Sequence, residues 1–352
     1  MAIRVTSCVS KRILSFALLA TRAAALEAQT PPRIGLIDFY GLHKVPEAKI
    51  RQALGVREGD FLPRSKGDAE EKIDAVSGVV ESHLEAVCCD GDKVILYVGI
   101  EERGAAHFDI RDAPEGGEGS DAKLPGEVLS TYHRFQETLA AALRRGSTAE
   151  DLTQGHSRMA DPSARAVQDM FPALVSAHLA EIRAVLRHSD DDDQRAAAAY
   201  VIGYAPNKKD IVDDLQYALK DPEPEVRANA ARSLVALAVR ARLNPADGIK
   251  IEPTWFIEML NSLSWSDRNH ALSALQILTD ARNADVLEQL RERSLSSLIE
   301  MARWKTLAHA LPAFVLVGRL AGYSEDQIQE AWSKGEREKA IAAALTGAKK
   351  AR

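Results

Sequence analysis

The sequence predicts an α+β fold: a small strand–helix–helix–strand–strand (βααββ) domain joined by a Gly-rich linker to an all-α superhelix of helix pairs. Three observations carry this. Residues 33–103 switch from strand-like alternation to helical spacing and back. Residues 112–120 have the composition of a flexible joint. Beyond residue 161, an arginine followed by apolar residues at +3, +4 and +7 recurs. Of 352 residues, 46% are apolar and only 5% aromatic, a mix that suits closely packed helices better than a β-sandwich.

Residues 1–28 read as a secretory signal peptide. Arg4, Lys11 and Arg12 supply a positive start, Ile13 to Ala20 is an apolar run, and Ala23-Ala24-Ala25 offers small residues for cleavage, with Ala28 a second point. Gln29-Thr30-Pro31-Pro32 then breaks the segment. Cleavage would remove four basic residues and one acidic residue, taking the formal charge from −6 to −9. The expected location is therefore outside the cytoplasm, in a periplasm or the extracellular space. An acidic chain is a poor partner for nucleic acid or anionic lipid. No run of 18 uncharged apolar residues occurs, so no permanent membrane span is expected.

The first domain is expected over 33–103. Ile34 to Gly41 alternates as a strand, and Pro46 opens a helix with Ala48, Ile50, Ala53 and Leu54 on one face, closed by Gly55. A second helix is expected from Asp68 to Val80, with Ala69, Ile73, Val76 and Val80 inward. His83 to Cys89 and Lys93 to Glu101 read as a hairpin around Asp90-Gly91. Val94, Leu96, Val98 and Ile100 fall on one face of the returning strand, Ile95 and Tyr97 on the other. Once Cys8 leaves with the signal, the adjacent pair Cys88 and Cys89 remains. One cysteine in the core and one outside is the plain reading; a redox or intermolecular thiol is the other.

The opening Ile34, Ile37, Phe39 and Gly41, the Gly59 after the first helix and the closing Leu96, Val98, Ile100 and Glu101 resemble the polypeptide-transport-associated (POTRA) domain. The resemblance implies docking, with an exposed sheet edge accepting an extended strand from a partner. Only one such unit is present, and no alternating barrel strands follow it, which argues against an outer-membrane translocase.

After the linker, placed at 104–125, residues 126–160 are expected to hold a connecting helix and loop. Gly126 to Arg145 carries an apolar stripe of Val128, Leu129, Tyr132, Phe135, Leu139 and Leu143. Helical repeats with terminal capping helices fill 161–352. The repeat positions are Arg195 with Ala198 and Ala199, Arg227 with Ala230 and Ala231, and Arg268 with Ala271. Asp190 to Asp193, Asp221, Glu223 and Asp267 precede these helices and are expected to cap them. Partner helices lie near Ile182–Leu186, Ile211–Leu219 and Phe256–Leu263. A further unit spans Val286–Leu320, where Pro312 suggests a kink or break. Ser324 and Gln327 form a capping box before the last helices. Leu219 to Ala231 resembles the HEAT repeat closely, and so does Leu186 to Ala199. Stacked units of this kind build one continuous core.

No catalytic pattern stands out. Consecutive Asp190 to Asp193 suit a solvated helix start better than a Ca²⁺ loop. His156, His178, His188, His270 and His309 show no close ligand spacing, and no metal or cofactor is expected. Trp255, Trp265, Trp304 and Trp332 read as core anchors. The expectation is an exported, non-enzymatic scaffold binding envelope proteins or peptides through the helical array and the sheet edge. Short HEAT-like repeats also resemble those of bilin lyases, so the alternative is an enzyme that binds a small molecule.

Overall fold

The computed structural model describes residues 32–350 apart from Asp92, Glu115, Gly117 and Glu118, with the backbone alone at 89, 90 and 348–350. The expected signal segment, with Cys8, lies outside the described residues. Contacts divide the chain into two units. The first runs to Ala105 and includes Leu263–Trp265; the second is Ala106–Ser262 with Ser266–Arg352.

The first unit has strands β1 (Ile34–Tyr40), β2 (Val79–Asp90) and β3 (Lys93–Glu102) and helices α1 (Glu47–Leu54) and α2 (Lys66–Asp74), in the chain order β1-α1-α2-β2-β3. The sheet order is β1-β3-β2, with β1 parallel and β2 antiparallel to the central β3. Ile50 and Leu54 of α1 and Ala69 and Ile73 of α2 close one face over Ile34, Ile37, Leu96, Val98 and Ile100. The spacing also puts Ile95 and Tyr97 on the opposite face, and both are buried too. There Tyr97 stacks on Trp265 at 5.3 Å, and the Tyr40 hydroxyl donates to the Leu263 carbonyl at 2.5 Å.

The second helix is shorter than its spacing suggests. It ends at Asp74, because Gly78 takes φ +103 and turns the chain into β2, so Val79 and Val80 are strand residues. Cys88 is half-buried in β2 and disulfide-bonded rather than a free core thiol.

The turn after β1 depends on two residues. Gly41 has φ +78, and a Cβ there would stand 1.9 Å from the Ile100 carbonyl oxygen. The buried Glu102 carboxylate accepts the backbone N–H groups of His43, Lys44 and Val45, each at 2.8 Å. Burial opposes its ionisation, but these three donors outweigh burial and hold the carboxyl below its ordinary value.

The second unit is helical: α3 (Gly126–Arg144), α4 (Pro162–Gln168), α5 (Phe171–His188), α6 (Asp192–Val201), α7 (Val212–Ala218), α8 (Pro224–Leu243), α9 (Thr254–Met259), α10 (Trp265–Leu278), α11 (Ala284–Ala302), α12 (Leu307–Leu320), α13 (Glu325–Ser333) and α14 (Arg337–Lys350). A two-residue hairpin of β4 (Glu150–Asp151) and β5 (Arg158–Met159) sits between α3 and α4. Pro312 lies inside α12 and does not end it. α5 carries a non-helical residue at His178 (φ −127, ψ 22). Both halves of the Ser324–Gln327 capping box are formed. No helix among the described residues is long and apolar enough to cross a membrane.

The segment ahead of α3 contacts its own unit at two points. Arg111 N–H donates to the Lys220 carbonyl at 2.8 Å, and Asp190 N–H donates to the Ser120 carbonyl at 2.9 Å.

Replacing Glu102 by Gln keeps the shape but weakens three charge-assisted hydrogen bonds. Urea unfolding at pH 7 should show a loss of about 2 kcal/mol in the first unit. Because the folded carboxyl titrates below its unfolded value, the wild-type advantage is present above the unfolded pKa. It should vanish as the pH falls through the folded one. An equal gap between wild type and variant at pH 7 and pH 3 would contradict this.

Candidate functional site: the helical repeat array

Arg195, Arg227 and Arg268 are each the fourth residue of their helix, in α6, α8 and α10. All three are buried, at 2–3% exposure. From that position each side chain reaches back to the loop that opens its own helix. Arg195 donates to the Ser189 carbonyl at 2.9 Å, Arg227 to the Asp221 carbonyl at 2.8 Å and Arg268 to the Ser262 carbonyl at 2.6 Å. The donation spans six residues each time.

Each guanidinium also reaches forward to a carboxylate of the following repeat. Arg195 meets Asp221 through two bonds of 2.9 and 3.1 Å. Arg227 meets Asp267 at 3.0 Å, and Arg268 lies 3.6 Å from Glu300. Asp221 and Asp267 are therefore not simple helix caps, as their positions suggest. Asp191 and Glu223 do the capping of α6 and α8, accepting from Gln194 and Glu225. Asp221 and Asp267 are buried acceptors that fasten one repeat to the previous one. Ala198, Ala199, Ala230, Ala231 and Ala271 are fully buried beside them, where small side chains permit close helix contact. Arg319 of α12 makes a further buried anchor that its sequence context does not announce. It donates to the Gln276 carbonyl at 2.6 Å, Thr279 at 2.9 Å and Glu325 at 3.0 Å.

A second buried polar cluster fastens the β4–β5 hairpin at the start of the array. Gln168 donates to the Tyr200 and Tyr204 hydroxyls at 3.0 and 2.9 Å, and accepts from Met159 N–H at 2.7 Å. Lys208, 7% exposed, donates to the Gly203 carbonyl at 2.6 Å and meets His156 Nδ1 at 3.0 Å. Burial pushes Lys208 down to about 7, with Arg240 adding to it. Burial, then Lys208, pushes His156 down to about 4. Burial likewise lowers His270 and His309 to about 4. His178 pairs with Glu127 at 2.8 Å, which raises it.

The side chains of Asp191, Asp192 and Asp193 come within 4.8 Å of one another, closer than consecutive positions suggest. Asp191 is engaged by Lys123 at 2.6 Å. Trp304 is a core residue, whereas Trp255 is half-exposed beneath Lys220, whose amine lies 4.9 Å from the ring.

At the edge formed by the loops between paired helices lies a cavity of about 250 Å³. It is lined by Arg111, Asp112, Pro114, Arg187, Tyr217 and Pro222, among others. The guanidinium carbons of Arg111 and Arg187 stand 3.4 and 4.6 Å from the centre of the Tyr217 ring. Arg111 is distant in sequence from the repeats and carries no motif, so residue spacing could not have pointed to it.

Residues 179–246 match the HEAT repeat family. No curated protein is similar to the chain. Among solved structures, a designed armadillo repeat protein in complex with a (KR)4 peptide is 17% identical, covering 63% of this chain and 99% of its own, with a TM-score of 0.35. A computationally designed armadillo repeat protein for modular peptide recognition is 17% identical, covering 62% and 99%, with a TM-score of 0.36.

The folded protein holds His156 neutral down to about pH 4, whereas an unfolded histidine takes its proton near 6.5. The unfolded chain binds more protons between those values, so this group makes stability fall as pH drops from 6.5 to 4. Replacing His156 by Gln should flatten that fall by about 1–2 kcal/mol, allowing for partial solvent access. Thermal melts of both chains at pH 7 and 4.5 check it; identical pH slopes would contradict it.

Proposed function

We propose that the chain is an exported, non-enzymatic scaffold whose HEAT-type array binds a protein or peptide of the cell envelope. The observation that carries this is the repeat array itself. Its recurring buried polar groups are spent on fastening one repeat to the next, through Arg195–Asp221, Arg227–Asp267 and Arg268–Glu300. Arrays of this kind present an extended surface made of loops and outer helix faces. Export is supported by the composition of residues 1–28.

The first unit is read as a POTRA-type docking domain. Its support is the chain order β1-α1-α2-β2-β3 and the sheet order β1-β3-β2, which leaves β2 at an edge. Among the described residues β2 pairs with β3 alone, and it is 12 residues long. Such an edge suits strand addition.

Peptide display against the chain lacking residues 1–28 tests the reading. It should enrich peptides that bind in the micromolar range, about −8 kcal/mol. No enrichment, together with a tightly held small molecule in the purified protein, would overturn it in favour of an enzyme.

A further inference from the structure

The β4–β5 hairpin lies as a strap on the second unit, and its two strands have two residues each. So short a ladder holds little by itself. Beyond it, Ala160 N–H donates to the Ala149 carbonyl at 2.8 Å. Most of the hold comes from side chains beneath the loop. The Tyr204 hydroxyl donates to the Ser157 carbonyl at 2.8 Å, and the Tyr204 ring lies 4.7 Å from the His156 ring. Arg240 of α8 donates to the Gln154 carbonyl at 3.4 Å. At Gly155 the approach is so close that a Cβ would stand 2.8 Å from Arg240 Cδ and 3.4 Å from Lys208 Cε.

In this contact Lys208 Nζ meets His156 Nδ1 at 3.0 Å. As the acceptor of a lysine amine, Nδ1 must be without a proton. A proton there would set a second cation against the first. Among the described residues neither side chain pairs with a carboxylate. The acids around the strap are engaged elsewhere. Asp169 holds Arg158 at 2.9 Å, and Asp247 holds Arg240 at 2.6 Å. Asp151 accepts the Thr153 N–H at 2.9 Å. Glu150 accepts the Ser157 hydroxyl at 2.6 Å and Arg232 at 3.4 Å.

Burial first, then Lys208, Arg158 and Arg240, holds His156 down at about 4 against the pull of Asp169. Burial, then Arg240, holds Lys208 down at about 7. Lifting the loop would return both groups to water and to their ordinary values. The lifted form then binds more protons than the seated form from pH 10.5 to 7 through Lys208, and from pH 6.5 to 4 through His156. The seated form is therefore weakened as the pH falls through each window.

We propose that the β4–β5 hairpin is an acid-released strap: protonation of His156 against Lys208 lifts the loop 152–157 from α8 and uncovers Tyr204. The opening is local, and the helices behind it stay folded.

The test is amide hydrogen exchange of the full chain at pH 8, 6.5 and 4.5, read by mass spectrometry and corrected for the intrinsic rate at each pH. Protection over residues 149–160 should fall about tenfold or more between pH 6.5 and 4.5, since one titrating group supplies at most tenfold per pH unit. Protection over α11 should hold across the same range. His156→Gln, which cannot take the proton, should abolish the fall. Lys208→Met removes the facing cation and should leave a smaller fall than wild type. Histidine labelled with carbon-13 follows His156 in the wild-type chain and needs no variant to fold. Its titration midpoint should coincide with the loss of hairpin protection.

Unchanged hairpin protection between pH 6.5 and 4.5 would overturn the inference. So would a parallel loss over α11, which would mark global unfolding instead of a lifting strap. A fall as steep in His156→Gln or Lys208→Met as in wild type would overturn it too, as would a His156 midpoint unrelated to the opening.

Discussion

A buried arginine on the first turn of each inner helix is the constraint on which the repeat array depends. Fixing the residue at the fourth position of α6, α8 and α10 fixes where its guanidinium can reach. It can satisfy the loop carbonyl six residues behind it and a carboxylate of the next repeat ahead. Neither half suffices alone. A guanidinium at 2–3% exposure without its carboxylate would leave an uncompensated charge in the core. A buried loop carbonyl without its donor would carry an orphaned acceptor. The pairs add little net energy over well-packed apolar residues, since desolvation offsets most of their attraction. What they set is register, because a slipped repeat would bury unmatched charge, whereas alanine faces alone would tolerate sliding.

That constraint also shapes the exposed edge. The carboxylates nearest the loops, Asp214 and Asp221, are committed to arginines of the array. Arg111, from outside the repeats, lies 4.0 Å from Asp221 and stacks on the Tyr217 ring at 3.4 Å. Asp221 thus closes the Arg195 pair and also lines the cavity beside Tyr217.

Much of this was legible in the sequence. Apolar spacing places most of the helices of the second unit, and the Arg-x-x-Ala pattern marks α6, α8 and α10. The order of strands and helices along the first unit follows from alternation and turns, whereas the sheet order β1-β3-β2 does not. The misreadings share a cause. Local rules assign Asp221 and Asp267 to capping because acids before helices cap them, yet a tertiary partner 26 or 40 residues away claims them. Val79 and Val80 fit a helical stripe, but Gly78 ends the helix and turns the chain into a strand. Pro312 should interrupt a helix, and α12 runs through it. The role of Glu102, and the place of Arg111 beside Lys220, depend on backbone groups brought close by folding. No spacing rule encodes them.

A double-mutant cycle on Arg195 and Asp221 tests the central claim most directly. Asp221→Leu and Arg195→Met should each cost about 3–5 kcal/mol in urea unfolding of the full chain, while the double variant recovers most of that loss. Such coupling is what a pair that fastens neighbouring repeats must show. Strictly additive losses, or single variants within about 0.5 kcal/mol of wild type, would mean that the alanine faces alone hold the array together.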